Sequence, residues 1–253
     1  MGAAAKQELS LGSTDRAPAG SAPAPSQLFD SRFRALVGEE AWAKLPEAVR
    51  RRFSKRIAPG TEVVYRGEVV STQLSRLGRV LAQLARVIGG PLPLDDGATG
   101  ASVVTVTEDA GAPGQTWTRS YARAGRRPQV IRSMKCFRGP TGLEEHVGAG
   151  IGMALSVTVK EGALYFRSDH YFLELAGWRL TLPRFLEPGR MEIVHADRSN
   201  AGQSSGEAFS FQLTLDHPLL GRMLHQLAHF HDPCARAENP AVREPLAAPR
   251  DAR

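Results

Sequence analysis

The feature that most constrains the fold is a change in the spacing of apolar residues after Pro93. Before Pro93, apolar side chains recur every three or four residues, which is typical of amphipathic helices. After it they alternate with small or polar side chains, as in residues 151–159 and 209–215. Such alternation predicts strands with one buried face. We therefore predict that the folded part of the chain begins with helices and continues as a β-sheet.

Ten segments after Pro93 are predicted to be strands, and most are joined by short connections rich in glycine, proline and asparagine. The segments are 101–109, 115–123, 128–137, 142–148, 151–162, 163–175, 177–182, 190–197, 207–216 and 221–230. Short connections favour antiparallel pairing, because parallel strands need long crossovers. A sheet of this many strands is expected to curl. The predicted fold class is therefore α+β, mainly antiparallel β, as a bent sheet or barrel-like structure.

The helical part precedes Pro93 and includes one strand. Helical spacing starts at Leu28, and Pro46 suits the first turn of a short helix that ends near Phe53. Residues 61–70 indicate a strand, or a strand with a bulge at Gly67. Residues 72–88 predict an amphipathic helix packed on the sheet, covering one face or one opening. Its apolar side holds Leu77, Val80, Leu81, Leu84 and Val87.

Residues 28–232 are predicted to form one domain between two disordered segments. Residues 1–27 are rich in Ala, Pro, Gly and Ser, and the tail 233–253 is rich in proline, so neither offers enough apolar area for folding. The chain has no run of about 18 apolar residues that would span a membrane. Its start does not resemble a secretory signal, so we expect a cytoplasmic protein.

Residues 216–232 hold four of the seven histidines and allow two interpretations. In a helix, His225 and His229 would share a face and could bind zinc. The zinc-protease pattern, however, requires glutamate where Gln226 stands. In a strand, His225, His229 and His231 would occupy one face without a metal. We favour the strand and predict neither a metal nor a cofactor.

Two further strings resemble known motifs without their structural context. Residues 202–206 match G-x-S-x-G, but a strand and not a helix is predicted to follow them. Residues 148–154 lack the third glycine of a dinucleotide-binding loop, so their glycines indicate a bulge or a sharp bend.

The most informative polar residues lie in the predicted strand 115–123. Trp117, Arg119 and Tyr121 project to one side, and an indole, a guanidinium and a phenol on one face suit a pocket for an anionic or aromatic ligand. The alternative is a purely structural face, with Arg119 paired to a carboxylate such as Glu145. Both interpretations stay open on the sequence.

A second strand, 163–175, carries polar residues on both faces. Alternation places Asp169 and Tyr171 on one side and Ser168 and His170 on the other. The sequence does not say which side faces inward, so His170 is only a weak candidate for the site.

Several short motifs follow one another along the chain: Trp117-x-Arg119 with Tyr121, then Ser133, Glu145 with Gly148, the series Leu182, Pro183, Leu186 and Pro188, and the string 217–221. In this order they make the chain resemble a bacterial family, domain of unknown function 4166. The resemblance covers about residues 28–232, but the chain departs from it at 226–229, where the family often has an aromatic–glycine pair. It implies no established activity. Members occur alone or joined to an oxidoreductase-like domain, so the resemblance suggests a separate oxidoreductase as partner.

The sequence thus predicts a β-rich cavity that binds a small, partly apolar or anionic ligand. Its predicted ligand-binding residues are Trp117, Arg119, Tyr121, Ser133 and Glu145. One alternative is an acid–base enzyme that uses Glu145 and Arg119. Another is nucleic-acid binding through the basic residues of 119–138, where no acidic residue occurs. Because no nucleic-acid-binding motif is recognisable, we do not expect that partner.

Overall fold

The structure is a computed structural model that describes residues 28–108, 111, 114–198 and 208–232. The helices are α1 (Arg32–Val37), α2 (Glu39–Ala43), α3 (Glu47–Phe53) and α4 (Arg76–Leu84), with 3-10 turns at Ala85–Ile88 and Arg184–Leu186. The strands are β1 (Leu28–Phe29), β2 (Lys55–Arg56), β3 (Glu62–Leu74), β4 (Gly100–Thr107), β5 (Gly114–Tyr121), β6 (Gln129–Cys136), β7 (Glu144–Gly148), β8 (Ile151–Lys160), β9 (Ala163–Leu175), β10 (Trp178–Thr181), β11 (Arg190–Asp197), β12 (Ala208–His217) and β13 (Gly221–His231).

Ten strands form a closed antiparallel barrel, which confirms the predicted fold class. The order around the barrel is β9-β11-β12-β13-β3-β4-β5-β6-β7-β8, and β8 pairs with β9 to close it. Among the strands that the structure describes, β10 pairs only with the last residues of β9. Closure leaves the alternating apolar side chains inside one interior, where Phe166 and Leu215 are almost fully buried.

The N-terminal helices fill one end of the barrel, which we call the plugged end. Phe33 of α1 makes edge-to-face contacts with Phe53 of α3 and with Phe166 of β9. Pro46 lies against the β8–β9 turn at Gly162. Because the three phenylalanines are apolar and buried, the plugged end belongs to the core.

Helix α4 and the following 3-10 turn lie across the opposite end, which we call the mouth. Helix α4 begins after β3 with Ser75, whose hydroxyl accepts a hydrogen bond from the Gly78 N–H at 3.0 Å. Gly78 sits directly on β13, where a side chain would clash with the backbone oxygen of Met223. The amphipathic helix that was predicted to cover one face or one opening therefore covers an opening.

Three details differ from the sequence-based expectations. Helix α4 starts at Arg76 and not at residue 72, because residues 72–74 continue β3 and pair with β13. Residues 28–29 form strand β1, which pairs with β2, and do not start a helix. The bulge in β3 lies at Val70, whereas Gly67 instead allows the His229 carbonyl to come close.

The histidine-rich segment forms strand β13, as predicted, with His225 and His229 half-buried on its outer face. Within the described ranges, no group of three or more His, Cys, Asp or Glu residues is arranged to hold a metal. No helix in the same ranges is long and apolar enough to cross a bilayer. The predicted disordered segments 1–27 and 233–253 and the string 202–206 lie outside the described residues.

The bend predicted from the glycines of 148–154 is confirmed. The pairing of β7 with β8 shifts register between His146 and Gly148, and Gly148 and Gly150 both have positive φ. A side chain at Gly148 would clash with the backbone oxygen of Ile88, so this glycine also lets the 3-10 turn approach the barrel.

Candidate functional site

A cavity of about 300 Å³ opens at the mouth, and we call it the mouth cavity. Its walls come from α4 and the 3-10 turn after it, from the inner faces of the strands, and from the segment 182–188. Most of the lining side chains are aliphatic, such as Leu81, Ile88 and Leu213. The polar ones are Arg119, Tyr121, Ser133, Glu145 and Tyr171. The cavity is therefore largely apolar, with a few polar groups on its wall.

Four of the five predicted ligand-binding residues line the mouth cavity. Arg119 and Tyr121 come from β5, Ser133 from β6 and Glu145 from β7, so three neighbouring strands bring them together. Trp117 points inward on the same face of β5 but lines a smaller cavity of about 20 Å³ deeper in the barrel. The row of β5 residues predicted to share one face thus lies inside the barrel, and Trp117 lies deeper than the mouth cavity.

Arg119, Ser133, Lys135 and Glu145 form what we call the charged cluster. The Arg119 Nη1 donates to Ser133 Oγ at 3.0 Å, and Ser133 Oγ donates to Glu145 Oε1 at 2.6 Å. Lys135 Nζ donates to Glu145 Oε2 at 2.8 Å. The Arg119 Nη2 is 3.5 Å from Glu145 Oε1. The Arg119–Glu145 pairing suggested by the sequence is therefore present, but it is the longer of two ion pairs.

The electrostatic balance of the charged cluster keeps Glu145 ionised. Burial alone would raise the pKa of the Glu145 carboxyl. The charges of Lys135 and Arg119, with hydrogen bonds from Lys135 and the neighbouring serine, outweigh burial and lower this pKa from 4.5 to about 2. Burial lowers the pKa of Lys135, while the charge of Glu145 opposes that effect. The cluster has formal charges of two positive and one negative, and so a surplus of one positive charge.

Lys135 is the cluster member that sequence reasoning missed as a site residue. It was visible only as one of several basic residues in 119–138. Alternation along β6 places Ile131, Ser133 and Lys135 on one face, and all three are buried. Residues two apart in a strand share a face, so an inward-facing Ser133 also implies an inward-facing Lys135.

Tyr171 was also missed, because a bulge in β9 reverses the alternation. The pairing of β8 with β9 skips Asp169, since Ala154 pairs with His170 and Leu155 with Ser168. Ser168 and Tyr171 therefore both face inward, whereas the sequence placed them on opposite sides. The Tyr171 hydroxyl is buried beside the Ser168 hydroxyl, and no described group forms a well-aligned hydrogen bond with it. Burial raises the pKa of Tyr171, so its hydroxyl stays protonated.

His170, the weak candidate on β9, lies away from the mouth cavity. Its Nδ1 is 2.8 Å from a carboxylate oxygen of Asp169 on the outer surface. The structure therefore does not bring His170 together with the charged cluster.

A different histidine, His195 of β11, is buried beneath the charged cluster. It lines the small cavity with Trp117, and their ring centres are 6.3 Å apart. Burial and the nearby charges of Arg52, Lys135 and Arg119 hold the pKa of His195 well below its usual value. His195 is thus a neutral ring inside the barrel, and sequence reasoning gave no role to it.

The basic stretch 119–138 does not form one continuous surface. Arg119 and Lys135 are buried in the barrel, and Arg123 is paired with Asp95. Arg138 is bonded to Glu144 and Glu174. Only part of the stretch, including Arg126, Arg127 and Arg132, is exposed. Nucleic-acid binding would require a contiguous basic face, and this arrangement does not support it.

Comparison with known proteins identifies one family. The family described as "Domain of unknown function (DUF4166)" matches residues 45–230, most of the chain and almost the whole barrel. No curated protein matches the chain, and no solved structure matches it.

Proposed function

The chain belongs to the DUF4166 family, and for this member we propose that the mouth cavity binds a small amphipathic carboxylate. The apolar tail of the ligand would occupy the aliphatic part of the cavity, and its carboxylate would meet Arg119. The observation that carries the proposal is a buried cluster of two cations and one carboxylate, whose Arg119 lies on the wall of an otherwise apolar cavity.

Arg119 is the member of the charged cluster best placed to receive an anion. Glu145 is held at 2.8 Å by Lys135, which does not line the mouth cavity, and at 3.5 Å by Arg119, which does. A guanidinium has five N–H donors. Within the described residues, the one hydrogen bond that Arg119 donates goes to Ser133. A carboxylate in the cavity would therefore find a cation with free donors, supported by the hydroxyls of Tyr121 and Tyr171.

The volume of the cavity sets the size of the ligand. At about 30 Å³ for each water-sized group, 300 Å³ accommodates roughly ten such groups. A carboxylate with a tail of about seven to nine carbons, or an aromatic acid of similar size, fits this volume.

Binding is better supported than acid–base catalysis. A general base works best when its pKa lies near the operating pH. Glu145, the base considered from the sequence, has a pKa of about 2 and is therefore a weak base. A separate oxidoreductase partner, which would act on the bound ligand, is a further proposal supported by the family resemblance alone.

The proposal is tested by comparing two ligands that differ only in their head group. Decanoate and decanol would each displace a fluorescent fatty acid from the purified protein. We expect decanoate to bind at least about tenfold more tightly, because a hydrogen bond to a charged group contributes about 1.5–3 kcal/mol. In Arg119→Met, the preference for decanoate should disappear while decanol still binds.

The matched control is Arg132→Met on the neighbouring strand, where the side chain is exposed. This control should retain the decanoate preference of the wild type. Equal affinity of the wild type for the two ligands, or an undiminished preference in Arg119→Met, would refute the proposed role of Arg119.

A further inference from the structure

Exposed apolar side chains are concentrated at the mouth of the barrel. Among the described residues, every large hydrophobic side chain that is well exposed lies there, except Val70 on the outside of β3. We call this set the rim; it comprises α4 with its 3-10 turn, the β9–β10 hairpin and the segment after it, the β12–β13 turn, and Val130. None of these side chains lies at the plugged end. Patches of this kind mark interaction surfaces.

Helix α4 carries more apolar surface than its packing on the barrel uses. Leu77, Val80, Leu84 and Val87 repeat at intervals of three and four residues and form one stripe, and all four are exposed. The helix packs on the barrel through other residues, such as Gly78 and Ala82, which are buried. The apolar face of the helix is therefore wider than its contact with the barrel.

The rim is continuous with the mouth cavity. Leu84 and Leu186 line the cavity, yet their side chains are 65% and 60% exposed. They belong to two separate elements at the opening, one to α4 and one to the 3-10 turn Arg184–Leu186. An apolar molecule entering the cavity would thus pass along apolar surface.

The mouth also carries most of the net charge of the chain. The rim segments 74–99, 121–130, 173–190 and 216–222 contain ten arginines and five acidic residues, a difference of +5. Four of the five acids are already in ion pairs with arginines. Arg76, Arg86, Arg127 and Arg184 are exposed and have no ion pair within the described ranges. The fifth acid, Glu187, has no ion pair within the described ranges, so positive charges outnumber negative ones among the unpaired groups around the apolar rim.

We propose that the mouth docks onto an anionic lipid bilayer, from which the cavity takes its ligand. A bilayer supplies the two features that match the mouth, an apolar phase for the rim and negative head groups for the arginines. Basic and apolar side chains around one opening, including an exposed tryptophan, suit such an interface. The docking itself stands on the rim and its charges; that the ligand comes from the bilayer rests on the proposed function.

Trp178 provides a built-in reporter for docking. It is 82% exposed in the rim, whereas Trp42 and Trp117, the other two tryptophans, are buried. With vesicles of equal parts phosphatidylcholine and phosphatidylglycerol, we expect a blue shift of tryptophan emission and co-sedimentation of the protein. Phosphatidylcholine vesicles alone should bind at least about tenfold more weakly, because four unpaired arginines lose their anionic partners. Trp178→Phe should abolish the shift but keep most of the co-sedimentation.

Charged substitutions in the rim provide the decisive variants. Leu84→Asp and Val87→Asp should each weaken vesicle binding by about tenfold or more, since each removes an exposed apolar group from the contact. The control is Thr158→Asp, which adds the same charge at an exposed position near the plugged end. It should bind vesicles like the wild type.

The outcomes separate this inference from the proposed function. Val87 does not line the cavity, so Val87→Asp should still bind decanoate in solution. Conversely, Arg119→Met should lose the decanoate preference yet still bind vesicles. Absence of vesicle binding by the wild type would overturn the inference. The inference would also be overturned if the rim substitutions dissociated a dimer of this chain in sedimentation velocity but left vesicle binding unchanged.

Discussion

Acidification should weaken the fold through Glu145, and the size of the effect follows from the charged cluster. The pKa of this carboxyl falls from 4.5 to about 2 on folding, which corresponds to about 3 kcal/mol of stability at neutral pH. Because the pKa of the folded state is the lower one, this contribution is complete above pH 4.5 and is lost as the pH falls toward 2. By pH 3 about 2 kcal/mol of it should be gone.

The assay compares the free energy of unfolding of wild type and Glu145→Gln, measured with urea between about pH 7 and pH 3. The variant has no carboxyl to protonate at this position, so its stability deficit should narrow by about 2 kcal/mol across that range. Glu62→Gln, at an exposed position in β3, is the control for loss of one carboxylate. A deficit that stays constant from pH 7 to pH 3 would show that Lys135 and Arg119 do not hold Glu145 ionised.

Two further changes test the packing and the charges of the barrel. Lys135→Met should destabilise the protein by about 3 kcal/mol or more, because it leaves Glu145 without its closer cation. The double variant Lys135→Met, Glu145→Gln should lose clearly less stability than the two single variants added together. Additive losses in urea unfolding would contradict a coupled pair. Gly67→Ala should destabilise by at least about 1–3 kcal/mol, because its Cβ would lie 1.9 Å from the His229 carbonyl oxygen. Gly111→Ala, which meets nothing within 4 Å, is the control, and an equal melting temperature for these two glycine variants would refute the argument.

Local sequence patterns predicted the strands and the inward row of β5 well. Trp117, Arg119 and Tyr121 alternate with more exposed residues over a regular strand, so their common direction follows from geometry alone. Closure of the barrel was only partly predictable. It depends on the pairing of β8 with β9 and of β13 with β3, and the second pair joins strands more than a hundred residues apart.

The failures have local physical causes. One extra residue at Asp169 reverses the alternation of β9, and the strand contains no glycine or proline that would indicate the bulge. The apolar stripe of α4 suggested a buried face, but part of that stripe is exposed at the mouth. Periodicity reports which side chains share a face and not what covers that face.

The most direct test of the central claim is the ionisation of the ligand carboxyl inside the barrel. Decanoate labelled with ¹³C at its carboxyl carbon would be titrated by NMR in complex with wild type and with Arg119→Met. We predict that the bound carboxyl titrates clearly below about 4.3, the value of an unperturbed glutamate side chain, and that Arg119→Met moves its pKa upward. A bound carboxyl that titrates like free decanoate in both proteins would place the head group in solvent and contradict recognition by the charged cluster.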